Sequence, residues 1–77
     1  MEKTIYSEDY ARLLQWLRDQ RNEQGLTMRE AGERLGVLHS WVGKVELGER
    51  RLDLIEYVQY CNALGIDPHE GLDLILQ

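Results

Sequence analysis

The sequence predicts an all-α domain of five short helices, and three observations carry that expectation. Apolar side chains recur at helical spacing along the whole chain, and no run alternates long enough to be read as a half-buried strand. Capping residues and glycines punctuate the apolar runs where helices begin and end. The third is size: 77 residues, 43% of them hydrophobic, supply one small core and no second domain.

Residues 1–6 read as an extended arm, and residues 7–77 as the domain. Ser7 is an N-cap for the first helix, followed by Glu8 and Asp9 where the helix dipole favours negative charge. The apolar stripe of that helix is Tyr10, Leu13, Leu14 and Leu17, and it ends near Asn22, before Gly25. Trp16 lies beside the stripe, suited to the core margin or to a dimer surface. Leu26 then enters the core. Thr27 and Glu30 form a capping box for the second helix, whose Ala31 and Leu35 share the packing face. Gly36 ends it, because a glycine adopts the left-handed conformation at little steric cost and lets the chain reverse. A third helix carries Val42 and Val45 and closes at Gly48, so residues 27–48 form a helix-turn-helix. Asp53 and Glu56 box the start of a fourth helix carrying Ile55, Tyr57, Val58, Cys61 and Leu64 up to Gly65. Asp67-Pro68-His69-Glu70 opens the fifth, with Asp as cap, Pro in the first position and Glu completing a box. Leu72, Ile75 and Leu76 are expected to dock it.

The net charge of −5 opposes nucleic-acid binding if taken alone, but its distribution does not. Residues 52–77 hold five acidic side chains and no Lys or Arg, whereas Arg29, Arg34, Lys44, Arg50 and Arg51 outnumber the four acids of residues 27–51. A polyanion can therefore meet the middle of the chain while the acidic third faces away. The lone Cys61 has no disulfide partner and sits in an apolar pattern as a small buried side chain. It has no His at local spacing, and His39 and His69 lack the clustered ligands of a zinc site, so neither an enzyme nor a cofactor is indicated. No apolar run approaches a membrane span and the N-terminus lacks a signal-peptide layout, which places the chain in the cytoplasm.

The run from Thr27 to Gly48, with its Leu35-Gly36-Val37 turn and Glu46-x-Gly48 close, resembles the lambda-repressor-like (Cro/XRE family) helix-turn-helix. The wording Gly48-Glu-Arg-Arg-Leu-Asp-Leu-Ile-Glu56 and Ala63-Leu-Gly-Ile-Asp-Pro68 extends the resemblance over roughly Arg18 to Leu74. It implies a five-helix domain of a prokaryotic transcriptional regulator, a repressor that binds double-stranded DNA at a near-palindromic operator as a homodimer. By position, His39, Ser40 and Lys44 match the residues that read bases, and Met28, Arg29, Trp41, Arg50 and Arg51 those along the DNA backbone. Arg21 and Glu46 match a structural ion pair between the first and third helices. Bland alternatives stand beside each role: a solvated imidazole for His39, a local backbone bond for Ser40, a solvated charge for Arg29, and pairing of Arg50 or Arg51 with Glu49 or Asp53.

Three positions depart from the family pattern, each by losing a polar group: Met28 replaces a Gln, Leu38 a capping Ser, and Gly43 a polar residue. Leu38 and Trp41 together form an apolar patch suited to thymine methyls or to a protein. The alternative function is accordingly a protein-interaction module, antitoxin-like or adaptor, with weak or no DNA binding.

Overall fold

The computed structural model describes residues 7–76, so the arm expected over residues 1–6 lies outside the described residues. Five helices follow in order: α1 (Glu8–Glu23), α2 (Met28–Leu35), α3 (His39–Glu46), α4 (Leu54–Leu64) and α5 (Pro68–Leu76). Among the described residues there is no strand.

Each helix start has a local cause. Ser7 Oγ accepts from the Tyr10 N–H at 3.1 Å and starts α1, with Glu8 and Asp9 in the first turn. Thr27 and Glu30 exchange both bonds of a capping box at the start of α2, and Asp53 and Glu56 do the same for α4. At α5 the Asp67 carboxylate accepts from the His69 N–H at 2.9 Å and also faces His69 Nδ1 at 2.8 Å.

Packing then decides which face of each helix is inside. The longest helix, α1, lies against α3 and α5, while α2 packs on α3 and α4. Leu17, Ala31, Val42, Val45, Tyr60 and Cys61 are fully buried at the centre. Two polar tethers close the bundle: the Leu52 N–H donates to the Tyr10 hydroxyl at 3.0 Å, and Gln24 Nε2 donates to the Leu64 carbonyl at 2.7 Å.

The structure corrects two apolar stripes. On α4 the buried set is Tyr57, Tyr60, Cys61 and Leu64, whereas Ile55 and Val58 face outward. Both sets have helical spacing, but extending the Ile55 register reaches Gln59 and Asn62, and only the other register stays apolar for two turns. On α5 Leu76 is exposed, and Gly71 lies against both α1 and α4, where a Cβ would overlap Trp16 and Leu13 of the one and Tyr57 of the other. Among the described residues no helix is long and apolar enough to cross a membrane.

Candidate nucleic-acid interface

The turn between α2 and α3 is built by two glycines. Gly36 takes φ 75°, ψ 29° at the end of α2, the conformation a side chain would disfavour. Gly32 works through space: a Cβ there would stand 2.7 Å from the Val37 carbonyl oxygen and 3.3 Å from the His39 nitrogen. The backbone entering α3 therefore rests directly on α2, and the Val37 N–H closes the turn onto the Gly32 carbonyl at 2.9 Å. The sequence reading missed Gly32. Its signal was a glycine inside a helix, which costs about 1 kcal/mol against Ala and calls for a packing reason.

α3 has one face in the core and one in solvent. Val42 and Val45 are fully buried, and Glu46 joins them. That leaves His39, Ser40 and Lys44 exposed on the opposite side, with Trp41 and Gly43 at the margin. Leu38 is the N-cap residue, makes no side-chain capping bond and is 75% exposed. The first turn of α3 carries no acidic side chain, so the partial positive charge of its N-terminus is not countered locally.

Glu46 is held by two arginines of α1. Arg21 Nε donates to Oε2 at 2.6 Å and Nη2 to Oε1 at 3.0 Å, while Nη1 donates to the Leu26 carbonyl at 2.8 Å. Arg18 Nε approaches the same carboxylate at 3.5 Å from a more exposed position, a contact the sequence reading did not include. The bond to Glu46 holds the Arg21 guanidinium above its ordinary pKa despite burial. The bidentate geometry orients α3 on α1, and the charge of Glu46 is matched before it reaches the surface.

Arg50 and Arg51 diverge, although adjacent in sequence. The Arg50 guanidinium is bidentate to Glu56, at 3.2 and 2.8 Å, and donates to the Arg51 carbonyl at 2.6 Å. Its partner is thus neither Glu49 nor Asp53. Glu56 stands one turn into α4 and reaches back, its Oε1 also accepting from the Asp53 N–H at 2.9 Å. That backbone bond, followed by Arg50, holds the Glu56 carboxyl below its ordinary pKa. The guanidinium carbon of Arg50 lies 5.1 Å from the centre of the Trp41 ring, which meets Tyr60 at 6.3 Å on the inner side. Arg51 is exposed and lines a different groove, with Tyr10, Leu13, Leu54 and Leu72.

Of the site residues expected from the sequence, the structure brings Ser40, Trp41, Lys44 and Arg50 into one shallow groove with Val37 and Leu38. His39 is exposed at the start of α3, outside that groove. Arg29 is exposed in the first turn of α2. Met28 is half-buried against the core and its side chain offers no polar group, so only its backbone N–H in the first turn of α2 suits a phosphate. Among the described residues no three His, Cys, Asp or Glu side chains gather where a metal ion could be held.

Comparison with known proteins agrees with this geometry. The helix-turn-helix domain family matches residues 9–73. Among solved structures, an XRE-family-like protein from Pseudomonas syringae pv. tomato str. DC3000 is 40% identical with a TM-score of 0.85, over 95% of this chain and 89% of that one. The restriction-modification controller protein C.AhdI from Aeromonas hydrophila is 32% identical with a TM-score of 0.75, over 84% of this chain and 98% of that one. The clp gene regulator ClgR from C. glutamicum shares the fold, with a TM-score of 0.79 at 24% identity over 91% of each chain. A search of curated proteins returns no match. The chain therefore belongs to the helix-turn-helix domain family, as an XRE-like, all-α DNA-binding domain.

Proposed function

We propose that this chain is a sequence-specific transcriptional regulator, a repressor that binds a near-palindromic double-stranded operator as a homodimer. The observation that carries the reading is the outer face of α3, where His39, Ser40 and Lys44 are exposed while Val42, Val45 and Glu46 lock the other face into the core. In this role His39 and Ser40 meet base edges from the first turn, and Lys44 meets a guanine edge one turn on. Arg29 and Arg51 meet phosphates, as does the first turn of α2 through the Met28 N–H. Arg50 acts through Trp41, since its donors are already held by Glu56. The name of C.AhdI, a restriction-modification controller, supports gene control as the class of role.

Homodimerisation is supported by α4, which leaves Leu54, Ile55 and Val58 exposed beside Arg51 and Asp53. An apolar centre flanked by both charge signs is self-complementary across a two-fold axis.

Selection of bound DNA from a random pool, at low and at moderate salt, tests the reading. A dimer that neutralises about four phosphates through Arg29 and Arg51 gives a slope of log affinity against log salt of about −4. Lys44→Ala is expected to relax preference at one or two base pairs, at a cost of about 1–3 kcal/mol. Absence of DNA binding even at low salt overturns the reading in favour of an interaction module working through exposed Leu38.

A further inference from the structure

We propose that the leading edge of α3 recognises thymine through its 5-methyl group, with Leu38 and Trp41 as the specificity-determining side chains. The inference rests on the DNA-binding reading above and adds to it the chemistry of the base selected.

Leu38 has no work to do inside the protein. It occupies the N-cap position without a capping bond, and three-quarters of its surface is open to solvent. A side chain of that kind at a helix start forgoes the stabilisation that Ser, Thr, Asp or Asn would supply there. Trp41 lies one turn on, half-buried, with Tyr60 on its inner side and the Arg50 guanidinium near its ring. That support fixes the indole as a rigid wall. Leu38, Trp41 and Val37 make the apolar part of one groove, and Ser40, Lys44 and Arg50 make its polar part.

The composition of the groove limits its occupant. Lys44 is exposed and has no acidic side chain beside it in the groove, while Arg50 is matched by Glu56, so the groove's one uncompensated charge is positive and an anionic ligand is favoured over a purely apolar peptide. The apolar wall offers no hydrogen bond and needs an alkyl group to cover. Among the base edges in the major groove, thymine alone presents a methyl group, and it comes on a phosphate chain. Gly43 lies further along the outer side. A Cβ there would meet only Met28 Sδ, at 3.5 Å, so the core does not demand a glycine, and its absence of side chain leaves the helix surface low enough for DNA to approach.

The test uses the intact chain and a site obtained by selection from random DNA. Each thymine of that site is replaced in turn by deoxyuridine, which deletes the 5-methyl group and keeps every hydrogen-bonding atom. The expected result is a loss of about fourfold in affinity at one or two positions of each half-site, the effect of exposing one methyl-sized group. Leu38→Ser, a change at an exposed side chain, is expected to bind the thymine and uracil forms equally, with an unchanged salt slope. Specific binding that is indifferent to uracil at every position, or a selected site without thymine, overturns the methyl reading and leaves the regulator reading standing. Persistence of the full discrimination in Leu38→Ser removes Leu38 from the role and overturns the assignment. Failure to select any site at low salt overturns both readings, and Leu38 then belongs to a protein contact.

Discussion

α2 and α3 are both eight residues long and lie side by side, yet they are held in place by different means. α2 has a complete capping box at its start and a left-handed glycine at its end, so its neighbours in sequence satisfy its exposed backbone groups. α3 has an apolar N-cap residue without a capping bond, a glycine in its middle and no acidic side chain in its first turn. What keeps α3 helical is tertiary: Val42 and Val45 in the core, Glu46 on Arg21, and Trp41 between Tyr60 and Arg50. α3 lacks the local devices that would occupy its exposed start, and the bundle supplies the stability instead.

The sharpest way to break that contrast is to remove the buried ion pair. Glu46→Gln or Arg21→Met is expected to lower unfolding free energy by about 3–5 kcal/mol, because the remaining charge is left in a poorly hydrated place. Denaturant unfolding with a double-mutant cycle measures the coupling, and Arg18 is expected to retain part of it through its own approach to Glu46. A loss below 1 kcal/mol would mean that α3 does not depend on this tether.

A comparison of the two N-caps comes next. Thr27→Ala is expected to destabilise by about 1 kcal/mol, whereas Leu38→Ser should stabilise by a similar amount, since it adds a cap that α3 lacks. Thermal unfolding of the two variants reads the opposite signs. Equal signs would show that the two helix starts are not different in kind.

Gly43→Ala is expected to stabilise by up to about 1 kcal/mol, because the added Cβ fits against Met28 and Ala is the better helix former. The same variant is expected to weaken DNA binding if the low surface at Gly43 admits the duplex, so stability and affinity move in opposite directions. Parallel melting and binding titrations check both.

The smallest effect concerns Arg50, whose partly exposed pair with Glu56 is worth no more than about 1 kcal/mol. Glu56 is held below the ordinary glutamate value of 4.5, so its contribution is fully present above that pH and is lost as pH falls through its lower native value. In a Trp16→Phe background, Trp41 emission is expected to change over that acid range as Arg50 loses its anchor. Glu56→Gln, which keeps an oxygen able to accept from the Asp53 N–H, should abolish the acid step without releasing the α4 cap. An acid step that survives the substitution would assign it to another carboxylate.

Much of this was legible in the order of residues, and the rest was not, for identifiable reasons. Ser7, Thr27 with Glu30, and Asp53 with Glu56 announce helix starts because each cap bond spans three residues, and short-range rules apply to it before any folding. Gly36 likewise marks its turn from its own backbone angles. The all-α class, the five helices and the helix-turn-helix at residues 27–48 follow from such local signals together with helical periodicity. By contrast, α4 offers two apolar registers, and only its neighbours α2 and α5 decide that Tyr60 is inside and Ile55 outside. Gly32 and Gly71 stand out in sequence only as glycines inside helices, and what each accommodates, another backbone or side chains from other helices, is set by tertiary packing. Arg50 and Arg51 are identical in sequence terms. Only the folded chain, by bringing Glu56 and Trp41 within reach of Arg50 and turning Arg51 toward another groove, separates a paired guanidinium from an exposed cation, because ion pairing and ring contact depend on distances set by tertiary packing.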